Sequence, residues 1–205
     1  MALIIRPADN IKAKVIDYLI ANYDGIIIGN EVMYGSSRKL VDLLALYQGE
    51  TYAIEIKSEK DDLRRLPEQL SEYAKIFDHT LIYTTTVHLS SIKKMIKEKA
   101  SVFVIDEGME VKGSLLEKKN NTQKSEMLAS MNSLFIRRRL NISNAENSDI
   151  VRGRAMRCKK EKIHTLLYEY FLEKLSAPYF LFLAERGERT EIDDITILSN
   201  RLTVE

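Results

Sequence analysis

Apolar side chains recur along this chain with two spacings, one typical of helices and the other typical of strands. Between residues 10 and 23, apolar positions return every three or four residues, which predicts an amphipathic helix. The same spacing predicts helices at residues 66–77, 90–99, 126–140 and 160–175. Runs rich in β-branched and aromatic residues instead predict strands, at residues 40–47, 51–56, 79–86 and 101–106.

The first two predicted strands are separated by Gln48-Gly49-Glu50, which is a hairpin signal. Because glycine supplies the positive φ that a tight turn requires, we expect the two strands to pair antiparallel. Upstream, the β-branched run at residues 26–28 fits a turn or a short strand. Downstream, helices alternate with strands, which predicts a mixed sheet covered by helices on its faces, in the α/β class.

The second half of the chain has a different pattern. Residues 117–125 are polar and carry no apolar anchor, so we interpret them as a linker or long loop. This divides the chain into an α/β unit at residues 1–116 and a mostly helical region at residues 126–205. Residues 179–184 are apolar enough for either a strand or a buried helix end.

Length and composition narrow the class of protein. A chain of 205 residues accommodates one substantial α/β domain with a smaller attachment, or one enlarged domain. No apolar run approaches the roughly 20 residues that a membrane span requires, and the N-terminus lacks the pattern of a secretion signal. We therefore expect a cytoplasmic protein without a membrane partner. Cys158 is the single cysteine, which excludes an intrachain disulfide and a cysteine-based zinc cluster.

The net charge of +1 conceals an uneven distribution along the chain. Residues 137–162 hold nine Lys or Arg side chains against three Asp or Glu, whereas residues 163–205 hold four basic and eight acidic side chains. The basic stretch could lie along a phosphate backbone, or it could be the solvated face of a helix.

The chemistry of the chain concentrates in the predicted hairpin. Glu55 and Lys57 are two residues apart on the second strand, so the pleat places them on the same face. Asp42 is on the partner strand and can stand beside them. Two carboxylates near one point suit Mg²⁺, or Mn²⁺ as a substitute, and the backbone carbonyl of Ile56 could add a further ligand. On its own, a Glu-x-Lys pair on a strand is also common as an exposed charge pair.

A metal at this point would stabilise the charge that develops on a phosphodiester during hydrolysis and would lower the pKa of a bound water. The Lys57 ammonium could position or help to deprotonate the attacking water. No glycine-rich loop followed by Lys and Ser or Thr is present, which excludes nucleotide hydrolysis by the P-loop route.

The order of these residues resembles the signature of the PD-(D/E)XK nuclease superfamily. The runs that carry the resemblance are Arg38-Lys39-Leu40-Val41-Asp42 and Ile54-Glu55-Ile56-Lys57-Ser58. Gln69 and Tyr73 resemble the Q-x-x-x-Y element of the RecB-like branch, and residues 55–78 also resemble a small, largely uncharacterised bacterial family of such domains. Val41 replaces the proline of the superfamily name, as is common in the RecB-like branch. The resemblance covers residues 10–107.

The resemblance implies a restriction-endonuclease-like fold, a Mg²⁺ cofactor and a phosphodiesterase activity. In such an enzyme Asp42 and Glu55 would bind the metal, Glu31 would assist directly or through water, and Lys57 would be catalytic.

Gln69 and Tyr73 would contact substrate phosphate or orient Lys57, with packing as the alternative for Tyr73. Arg38 and Ser58 would contact phosphate, with a place on the solvated surface as the alternative.

As substrate, the resemblance favours DNA over RNA, although the residues themselves fit either. The C-terminal region would hold substrate, a protein partner or a second copy of the chain. The alternative function is a nucleic-acid-binding or regulatory subunit that keeps the nuclease fold without turnover.

Overall fold

A six-stranded mixed sheet forms the centre of the computed structural model, which describes residues 7–96, 100–105, 111–112, 118–143 and 147–199. The strands lie side by side in chain order. They are β1 (Ile27–Tyr34), β2 (Lys39–Tyr47), β3 (Glu50–Lys57), β4 (His79–Thr85), β5 (Ser101–Ile105) and β6 (Val111–Lys112).

The first three strands form an antiparallel meander, whereas β3, β4 and β5 run parallel to one another. The turn between β2 and β3 confirms the predicted hairpin, because Tyr47 pairs with Glu50 around a two-residue loop. Both loop residues have positive φ, 49° at Gln48 and 82° at Gly49. Such a turn matches the natural twist of the strands that it joins.

Eight helices lie within the described residues. They are α1 (Pro7–Asn22), α2 (Leu66–Tyr73), α3 (Thr86–Ile96), α4 (Lys124–Ser130), α5 (Ser133–Leu140), α6 (Ser148–Ala155), α7 (Lys160–Glu185) and α8 (Ile192–Ile197). The mixed α/β class with a mostly helical C-terminal region is therefore confirmed. No helix among the described residues is long and apolar enough to cross a membrane.

The boundaries of several elements differ from the prediction. The helix predicted at residues 126–140 is two helices, because Asn132 adopts an extended conformation and its side chain caps α5 by accepting from the Phe135 N–H. Residues 179–184 are the last part of α7 rather than a strand. The sequence pattern did not predict α6, α8 or β6. The predicted ends at residues 99 and 106 lie outside the described residues, and the division into domains stays a prediction.

Helices cover both faces of the sheet, and α7 contributes to both cores. Phe171 packs with α2 and α3 residues on one face, and Phe182 packs with α1 residues on the other. The helix passes close to β1 at Gly29, where an added Cβ would lie 2.5 Å from Leu175 Cδ2. A glycine therefore permits the close approach of helix and strand.

A buried carboxylate ties the start of β3 to α7. Asp78 accepts hydrogen bonds from Thr51 N and Oγ1, each at 2.9 Å, and from His164 Nε2 at 2.8 Å. Burial alone would raise the pKa of Asp78, but the bonds from His164 and Thr51 outweigh it and lower the pKa. The bond to Asp78, opposed by burial, raises the pKa of His164.

We expect Asp78→Asn to lower the free energy of unfolding by about 2 kcal/mol, because a neutral amide cannot accept from all three donors. The lowered pKa of Asp78 stabilises the fold above its ordinary value of 3.8, and the raised pKa of His164 stabilises it below 6.5. The decrease in the free energy of unfolding should therefore be largest between pH 3.8 and pH 6.5. Urea unfolding across pH measures it, with Asp62→Asn on an exposed loop as control; equal losses in both variants would contradict the prediction.

Candidate active site

The candidate site lies where β2 and β3 part. The last residues that pair between the two strands at this end of the ladder are Leu43 and Ile54. Beyond it, Asp42 Oδ2 accepts a hydrogen bond from the Ile56 N–H at 2.8 Å. The carboxylate thus satisfies a backbone donor where the ladder has ended, and this bond holds Asp42 beside β3.

Glu55 and Lys57 lie on the same face of β3, as the strand alternation predicts. Lys57 Nζ is 2.7 Å from Glu55 Oε1, and the side chains are only 11% and 2% exposed, respectively. A charge pair at the surface would be solvated and weak, whereas this one is largely removed from water. The burial argues against an incidental exposed pair.

Gln69 and Tyr73 of α2 both contact Glu55. Gln69 Nε2 donates to Glu55 Oε1 at 2.7 Å, and the Tyr73 hydroxyl donates to Oε2 at 2.5 Å. Gln69 Oε1 also lies 3.5 Å from Lys57 Nζ, which fits the predicted role of orienting the lysine. Burial, together with the charge of Glu55, raises the pKa of Tyr73 far above its ordinary value, so the phenol remains a donor. Tyr73 is fully buried, and its hydroxyl is directed at Glu55.

The three central side chains border a cavity of about 360 Å³. Its walls carry five carboxylates and three ammonium groups. The carboxylates belong to Asp9, Glu31, Asp42, Glu55 and Asp61. The ammonium groups belong to Lys12, Lys57 and Lys60. This excess of negative side chains favours a cation in the cavity.

Electrostatic repulsion links the two central carboxylates. Burial, and after it the negative charge of Glu55, raises the pKa of Asp42 to about 6. Lys12, the Ile56 N–H and Lys57 act in the opposite direction but do not cancel the increase. A divalent cation would relieve this repulsion, because it stabilises both carboxylates in the charged form.

The chemistry of the donors fits Mg²⁺ or Mn²⁺. Asp42, Glu55 and the Ile56 carbonyl supply hard oxygen ligands, and Mg²⁺ usually keeps several waters in place of a full set of protein ligands. Within the described part of the chain, however, no three His, Cys, Asp or Glu side chains converge closely enough to hold a metal ion by themselves. Glu55 is instead engaged by Lys57, Gln69 and Tyr73.

Glu31 lines the cavity in an unusual backbone conformation. It lies within β1, yet its φ is 48°, in the left-handed region that residues other than glycine rarely adopt. Its neighbours Asn30 and Val32 pair with Leu43 and Val41, so Glu31 is level with Asp42. Strained residues of this kind persist where the surrounding fold holds them, often at functional sites.

The two remaining residues predicted to contact substrate, Ser58 and Arg38, occupy different positions relative to the cavity. Ser58 lines the cavity, but its N–H and hydroxyl both donate to Asp61 Oδ2, at 2.7 and 2.6 Å. Arg38 is exposed in the turn between β1 and β2 and does not line the cavity. The predicted contact of Arg38 with substrate would therefore lie outside the cavity, and it stays a prediction.

Sequence reasoning missed several cavity residues. The pattern of α1 indicated no functional role for Asp9 or for Lys12, since a lysine on an amphipathic helix ordinarily faces solvent. Asp61 and Lys60 follow β3 in a loop and match no part of the signature. No local signal could have identified Asp9 and Lys12, because it is the packing of α1 against the sheet that brings them to the cavity.

The basic stretch is partly neutralised within the protein. Arg138 of α5 donates to both carboxylate oxygens of Glu173 on α7, at 2.6 and 2.7 Å. Arg139 Nε, also on α5, lies 3.4 Å from Glu169 Oε2 on α7. These exposed pairs stabilise the fold only weakly, but they reduce the positive charge that this surface presents to a phosphate backbone.

Comparisons with known proteins give one family and two distant structures. The model of the family of bacteriophage P4 protein cII matches residues 4–199. No curated protein matches the chain. SfsA of Pyrococcus furiosus in complex with Ca²⁺ has 14% identity and a TM-score of 0.32, over 55% of this chain and 60% of that one. The crystal structure of AF1548, a protein of unknown function, has 12% identity and a TM-score of 0.34, over 80% of this chain and 97% of that one.

Proposed function

This chain belongs to the family of bacteriophage P4 protein cII, and from its cavity we propose that it is a metal-dependent nuclease of the PD-(D/E)XK type that hydrolyses phosphodiester bonds. One observation carries the proposal: Asp42, Glu55 and Lys57 border a single cavity at the point where two strands part. Glu55 and Lys57 share a face of β3, and Asp42 is bonded to the residue between them.

Each central residue has a distinct task in such a reaction. Asp42, Glu55 and the Ile56 carbonyl would hold Mg²⁺, which supplies a Lewis acid for the phosphodiester and lowers the pKa of bound water. If Glu55 held the metal, the Lys57 ammonium would be available to position the attacking water and to stabilise the charge of the transition state. Gln69 Oε1, which lies 3.5 Å from Lys57 Nζ, would accept a hydrogen bond from this ammonium.

Tyr73 and Gln69 maintain the geometry of Glu55. Because both donate to it, the carboxylate is fixed in one orientation before substrate arrives. Fixed ligands lower the reorganisation that the reaction requires.

Cleavage assays with the unmodified protein test the proposal. Supercoiled DNA, linear duplex, single-stranded DNA and RNA of matching sequence are incubated with Mg²⁺, with Mn²⁺ or with EDTA. We expect cleavage with either metal, none with EDTA, and faster cleavage of DNA than of RNA. A Lys57→Met variant purified in parallel controls for contaminating nucleases. Absence of cleavage on every substrate with both metals would refute the proposal.

A second candidate function is a nucleic-acid-binding subunit without turnover. The observation that favours it is the engagement of Glu55 by Lys57, Gln69 and Tyr73, with no ready-made three-residue metal cluster among the described side chains. Salt-sensitive binding without cleavage would support this function over the first.

A further inference from the structure

Lys12 is a buried lysine at the cavity to which the proposed reaction assigns no task. It is only 4% exposed, and its Nζ donates to Asn30 Oδ1 at 2.8 Å. A buried ammonium is costly unless its surroundings compensate it. The hydrogen-bond partner here is a neutral amide rather than a carboxylate, so this bond does not offset the charge of the ammonium.

Asn30 holds Lys12 in a defined direction. The Asn30 side-chain nitrogen donates to Ser199 Oγ at 2.7 Å, and the Asn30 N–H donates to the Leu198 carbonyl at 3.0 Å. Because Nδ2 is directed at Ser199, Oδ1 is directed at Lys12. The segment after α8 thereby fixes the amide that positions the ammonium.

Two of the three ammonium groups that border the cavity come from different secondary-structure elements. Lys12 comes from α1 and Lys57 from β3, and both act electrostatically on Asp42. An ammonium has three N–H donors, and among the described residues Asn30 takes one of those on Lys12. The remaining donors suit the charged oxygens of a phosphodiester.

We propose that Lys12 binds a phosphate of the nucleic acid in this cavity and that Asn30 is its positioning residue. The inference rests on the proposed function in taking nucleic acid as the ligand, but it does not require cleavage. The opposing interpretation is that Lys12 is only a counter-ion for Asp42, in which case it would make no contact with substrate.

Binding without turnover separates these interpretations. The affinity for a fluorescent DNA duplex is measured in EDTA at several salt concentrations for the unmodified protein and for Lys12→Met. Loss of one phosphate contact is expected to weaken binding of all sequences and to reduce the slope of log affinity against log salt by about 0.9. Lys12→Arg should retain the slope. Lys14→Met, the same substitution on the same helix but outside this cavity, should leave it unchanged.

A Lys12→Met variant with an unchanged melting temperature and an unchanged salt slope would overturn the inference, as would an unmodified protein that binds no DNA. Should Lys12→Met fail to fold, Lys12→Gln provides the same test with a polar side chain. A slope that depends on Lys12 in a protein that never cleaves would refute the proposed function and support this inference. Cleavage together with a salt slope that is independent of Lys12 would support the proposed function and overturn this inference.

Discussion

Replacing Asp42 with Asn is expected to stabilise the metal-free protein above about pH 7 by up to about 3 kcal/mol and, under the proposed function, to abolish cleavage. Because the pKa of Asp42 is raised from 3.8 to about 6, ionisation of this carboxylate opposes folding. The raised pKa of Asp42 stabilises the fold fully below pH 3.8, and this stabilisation is lost as the pH rises through about 6. The amide oxygen of Asn can still accept from the Ile56 N–H, so the variant loses the charge and keeps the bond.

Urea unfolding with and without Mn²⁺ measures this effect. The advantage of Asp42→Asn should be largest above about pH 7 and should disappear near pH 4. Under the proposed function, Mn²⁺ should stabilise the unmodified protein and leave the variant unaffected. Asp62→Asn, which removes an exposed carboxylate, is the control. A stability difference that does not change with pH would show that the charge of Asp42 is not responsible.

Replacing Lys57 with Met is expected to reduce the rate of cleavage by roughly 10²- to 10⁴-fold while binding of DNA changes much less. The methionine side chain approximates the aliphatic stem of lysine, so the largely buried position stays filled. The ammonium is removed, and with it the group that would position water. Single-turnover cleavage and binding in EDTA measure the two effects separately.

Lys94→Met, at an exposed position of α3, is the matched control for the loss of one positive charge. If Lys57→Met and Lys94→Met cleave at the same rate, Lys57 is not catalytic. If Lys57→Met instead weakens binding as strongly as it slows cleavage, Lys57 acts through substrate binding and not through the chemical step.

The hairpin was predictable because its signals are local. Gln48-Gly49 specifies the turn, and the alternation along β3 specifies which side chains share a face. Together these features place Glu55 and Lys57 on one side. They do not reveal that β2 is unpaired from β3 on the N-terminal side of Leu43, so that the Asp42 side chain and not its backbone bonds to Ile56.

The parts that could not be predicted depend on contacts between distant residues. Asn30 is held by Ser199, and Lys12 reaches the cavity only because α1 packs across the sheet. The spacing of Gln69 and Tyr73 predicts a shared helix face, but only tertiary packing shows that this face meets Glu55. Likewise, the break after Ser130 follows from the cap at Asn132, which the apolar spacing of residues 126–140 does not reveal.

The double role of α7 has a consequence for biosynthesis. Since Phe171 and Phe182 complete the cores on opposite faces of the sheet, a growing chain that has not yet reached residues 160–185 carries a sheet with both apolar faces incompletely covered. Exposed apolar faces and unpaired strand edges promote aggregation during folding. We therefore expect the nascent N-terminal half to be prone to aggregation until α7 has been synthesised and packs on both faces.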